Sequence, residues 1–145
     1  MTQRTRGEGG QTAVLIIGFT LVLVMMLAVV VDATAAYLQR QALSSLADGA
    51  ALAAADGIAG EQVYTEGLDD RATIDPDTAR ALVGTHLAIV DAGRAYPGLT
   101  YAVDTGGDRV VVRVTAPLEL PVPLPGVGKR TWVRGTAAAV IAVGD

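Results

Sequence analysis

The chain has no cysteine and a single histidine. Disulfides, thiolate metal sites and cysteine nucleophiles are therefore excluded, and imidazole chemistry is confined to His86. Aromatic residues make up only 4% of the sequence, with one Trp and one Phe among them. Any core must therefore be built from Ala, Val and Leu, which supply most of the 51% hydrophobic content. Basic residues number 11, Lys129 being the one lysine, and the net charge is −4. No basic stripe marks a nucleic-acid partner. A length of 145 residues holds one small domain and an appendage.

The most informative gap is in charge. Between Glu8 and Asp32 there is none, and residues 13–31 read AVLIIGFTLVLVMMLAVVV. As a helix this stretch is roughly 28 Å long, close to the apolar thickness of a bilayer. Thirteen of its nineteen residues are Leu, Ile, Val or Phe, each favouring insertion by about 0.3 to 0.6 kcal/mol. A transmembrane helix is expected over 13–31. Arg4, Arg6 and the amino terminus then hold residues 1–12 in the cytoplasm, as a tail, and place 32–145 outside, with Asp32 at the outer membrane interface. The competing expectation is a signal peptide cut after Ala35, within the small-x-small pattern Ala33-Thr34-Ala35, which would release a secreted or membrane-tethered binding module. Nineteen apolar residues exceed the usual length of such a peptide.

Proline is missing next. From Asp32 to Asp56 there is none and only one glycine, Gly49, amid Ala, Leu, Gln and Arg. These are strong helix formers, so the membrane helix is expected to continue unbroken through 32–56 and to stop at Gly57 and Gly60. Ala35, Leu38, Ala42, Leu46, Gly49 and Ala53 recur at steps of three and four, a packing seam of small side chains opposite Arg40, Gln41, Ser44 and Asp48. The seam either packs on the chain's own sheet or meets a neighbouring molecule, and the two are compatible.

Residues 57–145 carry the outer domain. Residues 57–74 read as a polar loop. A helix follows, with Asp75 at the N-cap, Pro76 at the first position, Asp77 in the first turn and Gly93 past the end. Its apolar face is Ala79, Leu82, Val83, His86, Ile89 and Val90. Beyond Pro97 the period changes to two: LTYAV, a turn at residues 105–108, then RVVVRVT with Val110, Val112 and Val114 on one side. Four prolines within 117–128 argue against an interior strand there. A last strand from about Arg130 to Val143 sets Val133, Ala137, Ile141 and Val143 on one face and Arg130, Trp132 and Arg134 on the other. The expectation is α+β: one further helix and a three-stranded antiparallel sheet, its apolar face covered by the protruding half of the first helix.

Chemistry is sparse. His86 falls in an apolar stripe, where a packed core imidazole is the plain reading. Ser44 and Ser45 have no base near them in the pattern. Asp69, Asp70, Asp75 and Asp77 gather without the calcium-loop spacing or its glycine, and capping explains two of them. No catalytic, cofactor-binding or metal-binding residue is assigned, and no cofactor is expected. Arg130, Trp132 and Arg134 form a candidate partner surface, since exposed aromatic and arginine groups enrich contacts. Alternatively, Trp132 covers a neighbouring strand. The stretch PLELPVPLP is a stiff connector or a polyproline ligand.

The order of these features resembles a known family. RGEGGQTAV, the apolar span, Val31-Asp32, Tyr37 five residues on, Ala47-Asp48 and the tract Ala50 to Ala55 look like the N-terminal region of the TadE/TadG-like Flp pilus-assembly proteins. The resemblance covers about the first 56 residues. It implies a pilin-like outer domain and a non-enzymatic structural or assembly role in a Flp/Tad-type pilus or secretion apparatus. The implied partners are the lipid bilayer, other pilus-assembly or pilin-like membrane proteins, or further copies of the chain. Pilin-like precursors carry a Glu five residues past the Gly at which they are cut. Here Gly10 is followed by Gln11, Thr12, Ala13, Val14 and Leu15, which implies the uncleaved, TadG-like branch. The long C-terminal region of large TadG proteins does not fit in the residues left.

Overall fold

The computed structural model describes residues 8–65, 74–122 and 130–141. Helix α1, Glu8–Thr65, runs through 58 residues without interruption, a length of roughly 87 Å. It crosses positions 32 to 36 as regular helix. The chain offers the backbone no alternative there, having neither Pro nor Gly between Gly18 and Gly49. Thr20 within the apolar run and Thr34 just past Asp32 return their hydroxyls to the carbonyls of Ile16 and Val30, 2.8 Å away in each case. Neither hydroxyl then needs water.

The expected stop at Gly57 and Gly60 is corrected: α1 passes both and reaches Thr65, so the first nine residues of the expected 57–74 loop are helical. Packing explains the first glycine. Ile58 is buried beside it, and a Cβ on Gly57 would meet the Leu82 methyls at 2.9 and 3.0 Å, so the bare backbone lets a second helix lie close. The intrinsic penalty of glycine, about 1 kcal/mol, is small against that burial.

Helix α2 spans Pro76–Ile89. Asp75 caps it as expected, its Oδ2 accepting from the Thr78 N–H at 2.8 Å and the Thr78 hydroxyl at 2.7 Å. These two bonds, the hydroxyl's first, hold the Asp75 carboxyl below its ordinary value of 3.8. A lowered folded pKa means that the cap contributes fully above that ordinary value and weakens as pH falls through the lowered one. The melting-temperature gap between wild type and Asp75→Ala should therefore narrow from neutral pH to about pH 3. Equal gaps at both would contradict it.

The expected end of α2 at Gly93 is also corrected. The chain turns at Asp91, whose φ of 52 is left-handed, and Gly93 lies inside the short helix α3, Ala92–Ala95. Asp is among the few residues tolerated in that conformation. The apolar face expected for α2 is shifted as well. Ala79, Val83 and Leu87 are buried, whereas Ile89 is 77% exposed and Val90 lies outside the core.

Strands β1 (Thr100–Gly106), β2 (Arg109–Glu119) and β3 (Arg130–Val140) form an antiparallel sheet in that order, matching the expected class. The first hairpin closes through Gly107-Asp108, with Gly107 at a φ of 62, the positive value a tight two-residue connection needs at its first position. Val110, Val112, Val114 and Ala116 of β2, with Val133 and Ala137 of β3 and Ile141 just beyond it, line the buried face. The position of Val143 lies outside the described residues. Strand β2 continues through Pro117 to Glu119, further than four prolines suggested. Pro117 shares its backbone orientation with Thr115, whose carbonyl faces β1, and the β1 ladder ends at the Thr100–Thr115 pair. Its missing N–H therefore falls on an edge and breaks no bond to β3.

Both long helices lie on one side of the sheet. α1 crosses β2 and β3, and α2 sits beside it over β1. Its buried contribution is Leu43, Ala47, Ala50, Ala51, Ala54, Ala55 and Ile58. The half of α1 beyond the apolar run is thus the central element of the head.

Candidate functional site

Between Val14 and Val31 the large apolar side chains of α1 are 48 to 71% exposed. A contiguous apolar surface of this kind marks contact with membrane or protein, and the helix is long and apolar enough to cross a bilayer. Asp32 follows immediately, yet it is only 8% exposed. Its Oδ1 accepts the Val122 N–H at 3.0 Å, and its Oδ2 has no partner among the described residues. About two turns further on, Gln39 Nε2 donates to the Pro117 carbonyl at 3.1 Å. These two bonds strap the end of β2 and residues 120–122 down along the helix, toward the end of the apolar run. Asp32→Val, which strands the Val122 N–H, should destabilise by about 1–3 kcal/mol. Asp32→Asn, which keeps an acceptor and removes a buried charge, should melt at or above wild type. A large loss in the Asn variant would contradict that reading.

Because β2 descends toward Asp32, the start of β3 is the end of the sheet nearest the apolar run. Here the outer edge of β3 and one flank of α1 enclose an open groove of about 670 Å³. Tyr37, Arg40 and Ser44 line it from α1, and Trp132, Arg134 and Thr136 from β3. Trp132 lies opposite Pro117 and is 62% exposed, so it does not cover the core. Arg130, at the same end, pairs with Glu119 at 3.0 Å on the exposed face. The structure thus places Arg130, Trp132 and Arg134 on one outward face and adds Tyr37 and Arg40, which strand periodicity alone did not connect to them.

The expected seam lies one residue round from the buried face. Leu43, Ala47, Ala50 and Ala54 are buried, each directly following Ala42, Leu46, Gly49 and Ala53, which are half-buried. The upper part of the seam faces α2, where a Cβ on Gly49 would meet His86 Nε2 at 3.1 Å. In the lower part Ala35 is half-buried and Leu38 is 57% exposed. This long helix, with an aspartate closing its apolar half and a small-residue face above, is the segment for which a family match exists. Residues 10–57 match the family model described as "Putative Flp pilus-assembly TadE/G-like". No curated protein and no solved structure matches the chain.

The matched span contains the apolar run, Asp32, Tyr37, Arg40 and every seam residue, so the similarity to that family lies on α1 while the sheet lies outside it. The remaining candidates stay scattered. His86 is half-buried against Gly49 in the interface between α1 and α2, and Ser45 is exposed. Asp75 is taken up by its cap, Asp77 lies in the first turn of α2, and Asp69 and Asp70 fall outside the described residues.

Proposed function

We propose that the protein is a single-pass, non-enzymatic structural or assembly component of a Flp/Tad-type pilus or secretion apparatus, anchored in the cell membrane by α1. Residues 1–12 are the cytoplasmic tail, 13–31 cross the bilayer, 32–56 carry the helix outward, and 57–145 complete the extracytoplasmic domain. Orientation rests on Arg4 and Arg6 before the span and Asp32 after it. The observation that carries the reading is the unbroken α1: the apolar run and the core of the head share one helix, within a match to a pilus-assembly family. Such a molecule transmits lateral forces from membrane to head without a hinge. The lower seam, Ala35 and Leu38, with the exposed apolar span, supplies the surface for neighbouring pilin-like proteins or further copies. Release after Ala35 fits less well, because it would cut within α1 and remove Asp32, the acceptor for Val122.

Crosslinking of the full-length protein in its native membranes, with mass spectrometry of captured neighbours, tests this. The expected result is retention of residues 13–31 and capture of pilus-assembly or pilin-like membrane proteins. A mature species beginning at Ala36, or a protein soluble without detergent, would overturn it.

A further inference from the structure

We propose that the groove between α1 and β3 is a docking site for the headgroup of an anionic phospholipid in the bilayer that α1 enters. The inference rests on the membrane anchoring argued above and names a ligand for this surface.

Depth is the first argument. Tyr37 and Arg40 lie five and eight residues past Asp32, about 8 and 12 Å along the helix axis. Helical side chains lean toward the N-terminus, which here means back toward the bilayer. The headgroup layer is about 5–8 Å deep on each side, so the phenol and the guanidinium reach into it. The strap from Val122 to Asp32 brings the Arg130 end of β3 down to the same level.

Charge is the second. Arg94, Arg113 and Arg130 each pair with a carboxylate, of Asp91, Asp104 and Glu119 respectively. Arg40 and Arg134 have no such partner among the described residues, and no lining residue of the groove is acidic. Two guanidiniums facing one open groove suit a phosphate, which each can bind in two-point fashion. The Ser44 and Thr136 hydroxyls add donors.

The third argument is the aromatic pair. Tyr37 and Trp132 are 67 and 62% exposed, although both are amphipathic rings of the kind that settle at the headgroup level. An acidic protein segment would satisfy the arginines equally well, but it would not explain why the groove opens within reach of the apolar run.

Trp132 is the only tryptophan, so its emission reports the groove directly. Full-length protein is reconstituted in phosphatidylcholine vesicles containing a small fraction of spin-labelled lipid, either phosphatidylglycerol or phosphatidylcholine, labelled near the carboxyl end of one acyl chain. The labelled phosphatidylglycerol should quench Trp132 with an apparent preference of about fivefold or more. That preference should fall to near unity in the Arg40→Gln/Arg134→Gln variant and persist in Arg40→Lys/Arg134→Lys. Equal quenching by both lipids overturns the proposal, as does retained selectivity in the Gln variant. Vesicle-bound protein with no quenching by either lipid also overturns it, pointing to a groove away from the bilayer. Protein that does not float with the vesicles overturns both this and the anchored reading, which separates the two failures.

Discussion

Replacing Gly135 with alanine is expected to lower the melting temperature of the protein by about 10 °C, a loss of about 3 kcal/mol. Gly135 sits on the buried face of β3, between Val133 and Ala137. A Cβ there would fall inside the van der Waals reach of the Leu43 carbonyl carbon and oxygen and the Ser44 nitrogen. These are backbone atoms of α1 and cannot swing aside as a side-chain end does, so the helix must lift from the strand. Lifting it exposes Leu43 and opens space over Val112 and Val114, all fully buried. Overpacking and lost burial then add. Thermal melting in detergent, followed by circular dichroism, measures the effect, and an unchanged melting temperature would refute the close approach of β3 to α1.

The second large effect concerns the other half of the same helix. Its thirteen Leu, Ile, Val and Phe residues together favour insertion by about 4–8 kcal/mol, whereas each arginine at the centre of a span costs about 2.5–3.5 kcal/mol. Leu21→Arg with Met25→Arg should therefore bring the balance to near zero and move the protein out of the alkali-resistant membrane pellet. Both side chains are more than half exposed, so the head should melt as before in detergent. A double variant that stays in the pellet would mean the span is held by something other than its own apolarity.

The fold was legible wherever the period was strong. The Val110, Val112, Val114 alternation, the capping by Asp75 and the break in charge at Asp32 each have a local cause and were read directly. Across Leu46–Ile58 the residues are small and apolar nearly all the way round, Asp48 and Asp56 excepted, so periodicity could not say which face turns inward, and the buried face sits one residue away from the expected seam. Gly57 read as a stop because its intrinsic penalty is local, while the burial of Ile58 and the approach of Leu82 are tertiary. The strap from Val122 to Asp32 and the groove joining Arg40 to Arg134 link positions about 90 residues apart, and no spacing rule reaches that far. Gly135 carried no signal either, since a glycine in a strand looks the same whether or not a helix backbone crosses it.

The central claim is that one rigid helix joins bilayer and head. The absence of cysteine allows spin labels to be placed only where cysteines are introduced. Labels at Thr20 and Ser45, both exposed and nearly on one face, flank the exit at Asp32. Pulsed electron paramagnetic resonance on the full-length protein in nanodiscs should give a single narrow distance of about 38 Å. A shorter or broad distribution would show a bend or a coil at the exit and would contradict the account.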